Sequence, residues 1–472
     1  MRKLVICLVG AAIVALVPFP AFAATKPNFV FVLTDDQAFN TLQKMPNVRR
    51  LANRGMEFRR AFVTNSLCCP SRATILTGMS SGHTGVWTNG DEGIRWGGWP
   101  AFRRNARKHD GSLFGNGNNE ARTIAFYLHN AGYRTGLFGK YLNHYEMRDG
   151  STPPIPQGWS SWHSFIGSNG SYYDYRTSDQ GKRHHFGSRP RDYSTNVFGR
   201  EAGRFLHSPG IQDGTHPFFL YYAPYAPHGP VTPAPKFSDV RAPIRFESRA
   251  YNERHVADKP SYIRRTHLLD AHDHSRLGSA WDRSYGTLRS VDQWVGRFQR
   301  ALPRRVRRHT VFIFTSDHGA EWGDHRLTYK EYPYERSIRV PLIFAGPGII
   351  HRSTAAIAGN ADLAPTILGI ARLNGVGGPF DGRSLKPVLT GTAGSVRKAV
   401  LLEHLTTKYA PSYCGLRTGK WKFVVYRDGF KELYNMQRDQ YELTNVAHRR
   451  PEIRRRMHRH TMHLCLPRPP DW

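Results

Sequence analysis

The chain runs to 472 residues, 39% of them hydrophobic, with 67 Lys and Arg against 36 Asp and Glu for a net charge of +31. That length can bury a large core in two or three structural units, so stability need not rest on the five cysteines, which excludes a disulfide-framed mini-protein. The charge attracts polyanions, whether nucleic acid, an anionic cell surface or a sulfated polysaccharide, but the sequence carries no zinc-finger spacing, basic-zipper heptad or aromatic RNA-binding signature, which argues against a specific nucleic-acid partner.

Met1-Arg2-Lys3, an apolar stretch from Leu4 to Val17 and small residues at Ala21 and Ala23 predict a secretory signal peptide over residues 1–24. No later segment approaches the roughly 18 uninterrupted apolar residues of a membrane span, so none is expected after signal cleavage, and the protein is expected to be secreted or periplasmic. Asn28–Thr34 is a continuous apolar run ending in Asp35-Asp36. Residues 217–222 form a second such run, before Ala226-Pro227-His228-Gly229, and residues 310–315 a third, ending in Ser316-Asp317-His318-Gly319. These runs predict strands buried on both faces of a parallel sheet. Ligands of open α/β sheets bind beyond the carboxyl ends of the strands, so the three polar ends are expected to meet at one site.

Residues 45–54 and 120–131, closed by Gly55 and Gly132, predict helices. Residues 91–119 and 151–191 mix glycine, proline, aromatic and basic residues without period and are expected to be long loops that shape a pocket. From residue 399 the pattern changes to short strand-like runs at 399–403, 421–426 and 430–434, with a turn at Asp428-Gly429 and a basic, helical end. The expected fold class is α/β, a large mainly parallel sheet flanked by helices plus a smaller C-terminal antiparallel sheet with a helix. The larger unit is expected over residues 25–378 and the smaller over 379–472.

Two adjacent carboxylates at one strand end, with Asp317 at another, would repel unless a hard cation neutralised them, and oxygen-rich ligation suits Ca²⁺ or Mg²⁺ better than zinc. Of the cysteines, Cys7 falls in the signal, Cys414 and Cys465 are a candidate single bridge, and Cys68-Cys69 are adjacent. In Cys68-Cys69-Pro70-Ser71-Arg72-Ala73-Thr74-Ile75-Leu76-Thr77-Gly78, Pro70 suits the first position of a helix and Gly78 its end. The helix N-terminus would then point free N–H groups at residue 68, a site for a tetrahedral oxyanion beside an activated thiol; a structural disulfide or a buried reduced pair are the plainer alternatives.

Cys68-x-Pro70-Ser71-Arg72 followed by Thr77-Gly78 resembles the signature of the sulfatase family, and the flanking elements follow that family's order over nearly the whole mature chain. Glu432-Leu433-Tyr434-Asn435 with Glu442-Leu443-Thr444-Asn445-Val446 resembles the sulfatase C-terminal domain. The resemblance implies an alkaline-phosphatase-like fold and a sulfuric ester hydrolase. It implies that Cys68 is converted to formylglycine by the formylglycine-generating enzyme, and that Asp35, Asp36, Asp317, His318 and the modified Cys68 hold Ca²⁺, with Mg²⁺ as the other candidate. Arg72 would hold the formylglycine hydrate, Lys140 and Lys330 would bind sulfate oxygens, and His228 would protonate the leaving alcohol.

Tyr334-Glu335 and Arg339-Val340-Pro341 after Lys330 also resemble the family pattern, in which His318 is often asparagine. Gly139-Lys140-Tyr141-Leu142-Asn143 resembles the glucosamine-6-sulfatase and endosulfatase branch, which implies a sulfated sugar as substrate. Leu142 stands where many members carry histidine, leaving Asn143 or His144 to take that role, and His83 is a further pocket candidate. Phosphodiester or phosphonate monoester hydrolysis on the same fold, and polyanion binding without catalysis, are the alternative functions.

Overall fold

The computed structural model describes residues 26–472 apart from 92, 109 and 374, so the signal peptide expected over 1–24 lies outside the described residues. The main sheet has eleven strands: β1 (Asn28–Thr34), β2 (Met56–Phe62), β3 (Arg134–Gly139), β4 (Ser161–Ile166), β5 (Tyr175–Asp179), β6 (Lys182–Phe186), β7 (Phe218–Ala223), β8 (Thr310–Ser316), β9 (Arg339–Val340), β10 (Leu342–Ala345) and β11 (Arg352–Gly359). Their order is β11-β2-β10-β8-β1-β7-β3-β4-β5-β6, with β9 paired to β2.

The three apolar runs become neighbours at the centre. β1 pairs in parallel with β8 on one side and β7 on the other, and β7 pairs in parallel with β3. All seven residues of β1 are buried. Phe29, Phe31 and Leu33 enter one hydrophobic layer and Val30 and Val32 the other, because successive side chains point to opposite faces. Helices cover both layers; the 31-residue helix Ala271–Ala301 is the longest among the described residues and contributes Leu288, Val291, Val295 and Phe298 to the second layer.

Four expectations change. Residues 151–191 are not a loop: they hold β4, which adds in parallel to β3, and the antiparallel pair β5–β6 at the sheet edge. The turn between them uses Gln180 and Gly181 at positive φ, and β6 is almost wholly exposed, so its Lys-Arg-His-His-Phe sequence has no buried face to imprint an apolar alternation. The helix expected over 120–131 is split, because Thr123 adopts an extended conformation and its hydroxyl caps the helix Ile124–Asn130 by accepting from the Phe126 N–H. Gly98–Phe102 forms a short helix within the segment read as a loop over 91–119. The helix of the cysteine motif starts two residues before Pro70, at Cys68, and ends at Thr77, with Gly78 in the left-handed region at φ 73.

The second sheet comprises β12 (Ala399–His404), β13 (Tyr413–Thr418), β14 (Trp421–Tyr426) and β15 (Lys431–Asn435), antiparallel in that order, with the helix Pro451–Leu464 packed on β13 and β14. β13 was not distinguished in the sequence pattern. Cys414 on β13 and Cys465 past that helix are bridged across 51 residues. Val400, Leu402, Tyr413, Val424 and Tyr426 join the same hydrophobic cluster as Phe31 and Leu33, so one core runs under both sheets.

Candidate active site

The adjacency of β8, β1, β7 and β3 places the residues that follow those strands side by side: Asp317-His318, Asp35-Asp36, His228 and Lys140. The chain turns sharply between the two aspartates, with Asp36 at φ 66, a conformation few non-glycine residues adopt. It is held there by the Asp36 N–H, which donates to Asp317 Oδ1 at 3.1 Å, so the β8 loop fixes the direction of the β1 loop.

The helix Cys68–Thr77 is buried along its whole length and delivers Cys68 and Arg72 into this corner. Cys68 Sγ lies 3.0 Å from Lys330 Nζ, 3.3 Å from His318 Nε2 and 3.6 Å from Asp35 Oδ1. Arg72 Nε donates to Asp317 Oδ2 at 2.8 Å and Nη1 to the Lys140 carbonyl at 2.9 Å, while Nη2 stands 3.4 Å from Asp35 Oδ2. Lys140 Nζ donates to Asp35 Oδ2 at 2.7 Å and Lys330 Nζ to Asp36 Oδ1 at 2.8 Å. His228 Nδ1 is bonded to the Gly229 carbonyl, which can only accept, so Nε2 turns inward to 3.2 Å from Lys330 Nζ and 3.7 Å from Asp36 Oδ2. Asp35, Asp36, Cys68, Arg72, Lys140, His228, Asp317, His318 and Lys330 thus belong to one network.

The field in this corner separates two cysteines that are neighbours in sequence. Burial opposes ionisation of Cys68, but Lys140 and Lys330 outweigh it and hold its thiol well below the usual range. Cys69 belongs to the hydrophobic core, and burial pushes its thiol up to about 12. Burial also opposes the charge on Asp35, yet Lys140 and Arg72 keep its carboxyl well below the ordinary range. Asp317 goes the other way, to about 6, raised by burial and by Asp35.

One carboxylate oxygen each of Asp35 and Asp36, Cys68 Sγ and a ring nitrogen of His318 lie within 4.8 Å of one another. Ligands on opposite sides of a cation bound at about 2.4 Å would be separated by about that distance, so the spacing suits a divalent ion. His318 would offer Nε2 to an ion, because Nδ1 is bonded at 2.8 Å to the Gly319 carbonyl and can only donate there. Burial works against a charged His318, but Asp317 and Asp36 outweigh it and lift its ring to about 9, a measure of the negative potential at this point. Asp317 borders this set: His318 Nε2 is 3.8 Å from its Oδ1, and both its oxygens already accept hydrogen bonds from Arg72 and from the N–H groups of Asp36 and His318.

Two side chains of the site, Asn89 and Asn360, carried no signal in the sequence. Asn89 Oδ1 accepts from the Cys69 N–H at 2.9 Å and so satisfies the start of the helix. Ser71 donates to the Asp317 carbonyl and accepts from Asn360 Nδ2 at 3.0 Å, tying the helix to β8 and to the turn after β11. Asn89-Gly90 could have been read as a turn dipeptide, but nothing places that turn against Cys69. Leu142 is core, Asn143 is buried, and His144 faces outward between Asp91 at 3.2 Å and Glu146 at 3.2 Å. His83 pairs with Asp381 at 2.7 Å and joins none of these contacts.

The sulfatase family model matches residues 27–373, and a model described as N-sulphoglucosamine sulphohydrolase, C-terminal, matches residues 323–465. The chain is 36% identical over 377 residues to a Caenorhabditis elegans extracellular sulfatase Sulf-1 homologue, covering 77% of this chain but 49% of that protein, so it spans about half of that relative's length. It is 32% identical over 477 residues to human N-acetylglucosamine-6-sulfatase, covering 90% of this chain and 82% of the relative. Its fold is shared, with a TM-score of 0.73 and 24% identity over 93% of this chain and 98% of the other, by a protein solved in complex with its substrate D-glucosamine-2-N,6-O-disulfate.

Proposed function

The chain belongs to the sulfatase family, and we propose that it hydrolyses sulfate esters of sulfated sugars, of the glucosamine-6-sulfate type, with Cys68 converted to formylglycine beside a bound Ca²⁺ or Mg²⁺ ion. The observation that carries this reading is the position of Cys68 Sγ, at the start of a buried helix and 3.0 Å from Lys330 Nζ, while Cys69 packs in the core.

Asp35, Asp36, Asp317, His318 and residue 68 would hold the cation, which supplies charge neutralisation and acidifies a hydroxyl at residue 68. Formylglycine supplies, as its hydrate, two hydroxyls on one carbon, one as nucleophile and one that lets the aldehyde re-form. Lys140 and Lys330 carry ammonium groups already aimed into the corner, and they would transfer from the aspartates to the equatorial oxygens of the sulfate. Arg72 orients residue 68 by bracing Asp35, Asp317 and the Lys140 carbonyl at once. His228 presents Nε2 at the open side and would hold the proton that the leaving alcohol oxygen takes up.

On this reading the chain is exported after signal cleavage, which the amino-terminal pattern supports, and it is a substrate of the formylglycine-generating enzyme. Among the described residues no helix is long and apolar enough to cross a membrane. Residues 25–378 form the catalytic unit and 379–472 the smaller one, a division supported by the second sheet, which begins at Ala399.

The test has two parts on protein from a host that converts other sulfatases. The peptide bearing Cys68 should carry an aldehyde in place of the thiol by mass spectrometry, and glucosamine-6-sulfate should be turned over faster than glucosamine-6-phosphate. Unmodified Cys68 throughout would remove the mechanism; faster phosphate ester or phosphonate cleavage by converted protein would move the reaction to that class.

A further inference from the structure

The helix Pro451–Leu464 is a rigid mount for a basic surface. It packs on β13 and β14, with Met457 and Thr461 buried, and Cys465 just past its end is bridged to Cys414 on β13. Arg455, Arg456 and Arg459 on the same helix are exposed. Residues three or four apart share a helix face, so Arg459 is repelled by both of the others. The acid of this helix, Glu452, forms no ion pair with them among the described residues. The ion pairs made by residues 399–472, among those described, are His404–Glu331, Arg417–Glu335, Lys422–Glu442 and Arg427–Asp471. Cations also converge on the helix from elsewhere: burial and then the positive charges of Lys431, Arg468 and Arg454 hold the His458 ring below its ordinary value.

The charge continues into a groove beside the start of the helix. Two depressions, of 460 and 370 Å³, flank the segment 437–444 and share Arg438 and Asp439; Lys420, Trp421 and Arg450 line the first and Arg249 the second. Asp439 is engaged within its own turn, where Oδ1 accepts from the Leu443 N–H at 3.0 Å and Oδ2 from the Thr444 N–H at 2.9 Å. Trp421 packs against the cluster of Leu433 and Met457, with Lys420 Nζ 5.8 Å over its ring, so the groove offers charge rather than a stacking platform for bases. This surface is remote from the chemistry. The end of the second sheet nearest Lys330 is Tyr413, whose hydroxyl donates to the Glu331 carbonyl at 3.1 Å and which pairs with Tyr426; Trp421 lies five residues back along β14, about 17 Å away.

Exposed arginines without carboxylate partners, running from a groove onto a fixed helix, suit a linear chain that bears many sulfate groups, because each guanidinium fork matches a tetrahedral oxyanion. We propose that this surface, built on Arg438, Arg450, Arg455, Arg456 and Arg459, is an accessory site for the sulfated polysaccharide, which it holds while one of its residues occupies the catalytic corner. The inference rests on the sulfated-sugar reading and extends it from a single sugar to a polymer.

The test uses the full-length converted enzyme, with heparin as the polymer and glucosamine-6-sulfate as the fragment. The triple change Arg455→Ala, Arg456→Ala, Arg459→Ala should weaken heparin binding, and lower sulfate release from dilute heparin, by about tenfold, the effect of a few surface charge contacts. It should alter kcat/KM for glucosamine-6-sulfate by less than about twofold, which shows the variant folded and the catalytic corner intact. Arg→Lys changes at the same three positions should restore most of the heparin binding. Arg304→Ala, Arg305→Ala, Arg308→Ala, ahead of β8, removes as many charges and should change heparin binding by less than about twofold, which separates this surface from net charge. Sulfate release from heparin that is absent, or equal in the first variant and its parent, overturns the inference alone. Duplex DNA that binds the parent more tightly than heparin and loses affinity in the first variant overturns it in favour of a nucleic acid. If neither sugar is turned over, the sulfated-sugar reading falls and the inference falls with it.

Discussion

Arg72 Nε meets Asp317 Oδ2 at 2.8 Å with neither side chain exposed to solvent, and the same guanidinium stands 3.4 Å from Asp35. An arginine can span both carboxylates because its planar fork offers donors in two directions, which a lysine ammonium cannot match. Removing one partner of a buried ion pair strands the other, at about 3–5 kcal/mol. Arg72→Ala should therefore lower the unfolding free energy by that order, and Arg72→Lys should recover only part of it, as read from urea denaturation.

The cation is expected to stabilise the fold independently of turnover. Protein stripped with chelator and returned to Ca²⁺ at about a hundred times its dissociation constant should gain about 2.7 kcal/mol. Asp36→Asn should abolish that gain, because Asp36 belongs to the set of ligand atoms within 4.8 Å of one another. A melting curve unmoved by Ca²⁺ and Mg²⁺ would count against a cation site.

The two cysteines should separate cleanly. Cys68→Ala should eliminate turnover with little change in melting temperature. Cys69→Ser should preserve turnover and cost about 1–3 kcal/mol by burying a hydroxyl in the core. Loss of activity in a folded Cys69→Ser protein would contradict the assignment.

Glu403 lies buried on β12, where one oxygen accepts from the Ser81 N–H; burial pushes its carboxyl up to about 7 from 4.5. The unfolded chain releases this proton at lower pH than the folded one, so its contribution to stability is full below pH 4.5 and is lost as pH rises through about 7. The loss amounts to about 3 kcal/mol at 1.36 kcal/mol per pH unit. Glu403→Gln should raise the unfolding free energy at pH 8 and leave it unchanged at pH 4.

Cys414–Cys465 closes a loop of 51 residues that contains β14, β15 and the helix Pro451–Leu464. The chain-entropy argument gives such a closure about 4 kcal/mol. A Cys414→Ser, Cys465→Ser double variant should unfold earlier by that order in denaturant, and a reducing agent should have no further effect on it.

The central strands and the helix that carries Cys68 were legible in the sequence because each is a local pattern. An unbroken apolar run such as Asn28–Thr34 has one economical fate, burial on both faces, and the polar pairs at the ends of β1 and β8 then stand at the same edge whatever the loops do. The spacing from Cys68 to Gly78 likewise records a helix stop within one short segment. What only the tertiary structure decided is carried by contacts between residues far apart in the chain. The hairpin β5–β6 pairs through backbone groups at an exposed edge, and backbone hydrogen bonds leave no trace in residue type. Asn89, Asn360 and Asp471 form hydrogen bonds to Cys69, Ser71 and Thr406, 20, 289 and 65 residues away. A lone polar side chain has many equally good partners in a sequence, and only the packed core, by fixing which backbones come within 3 Å, selects one.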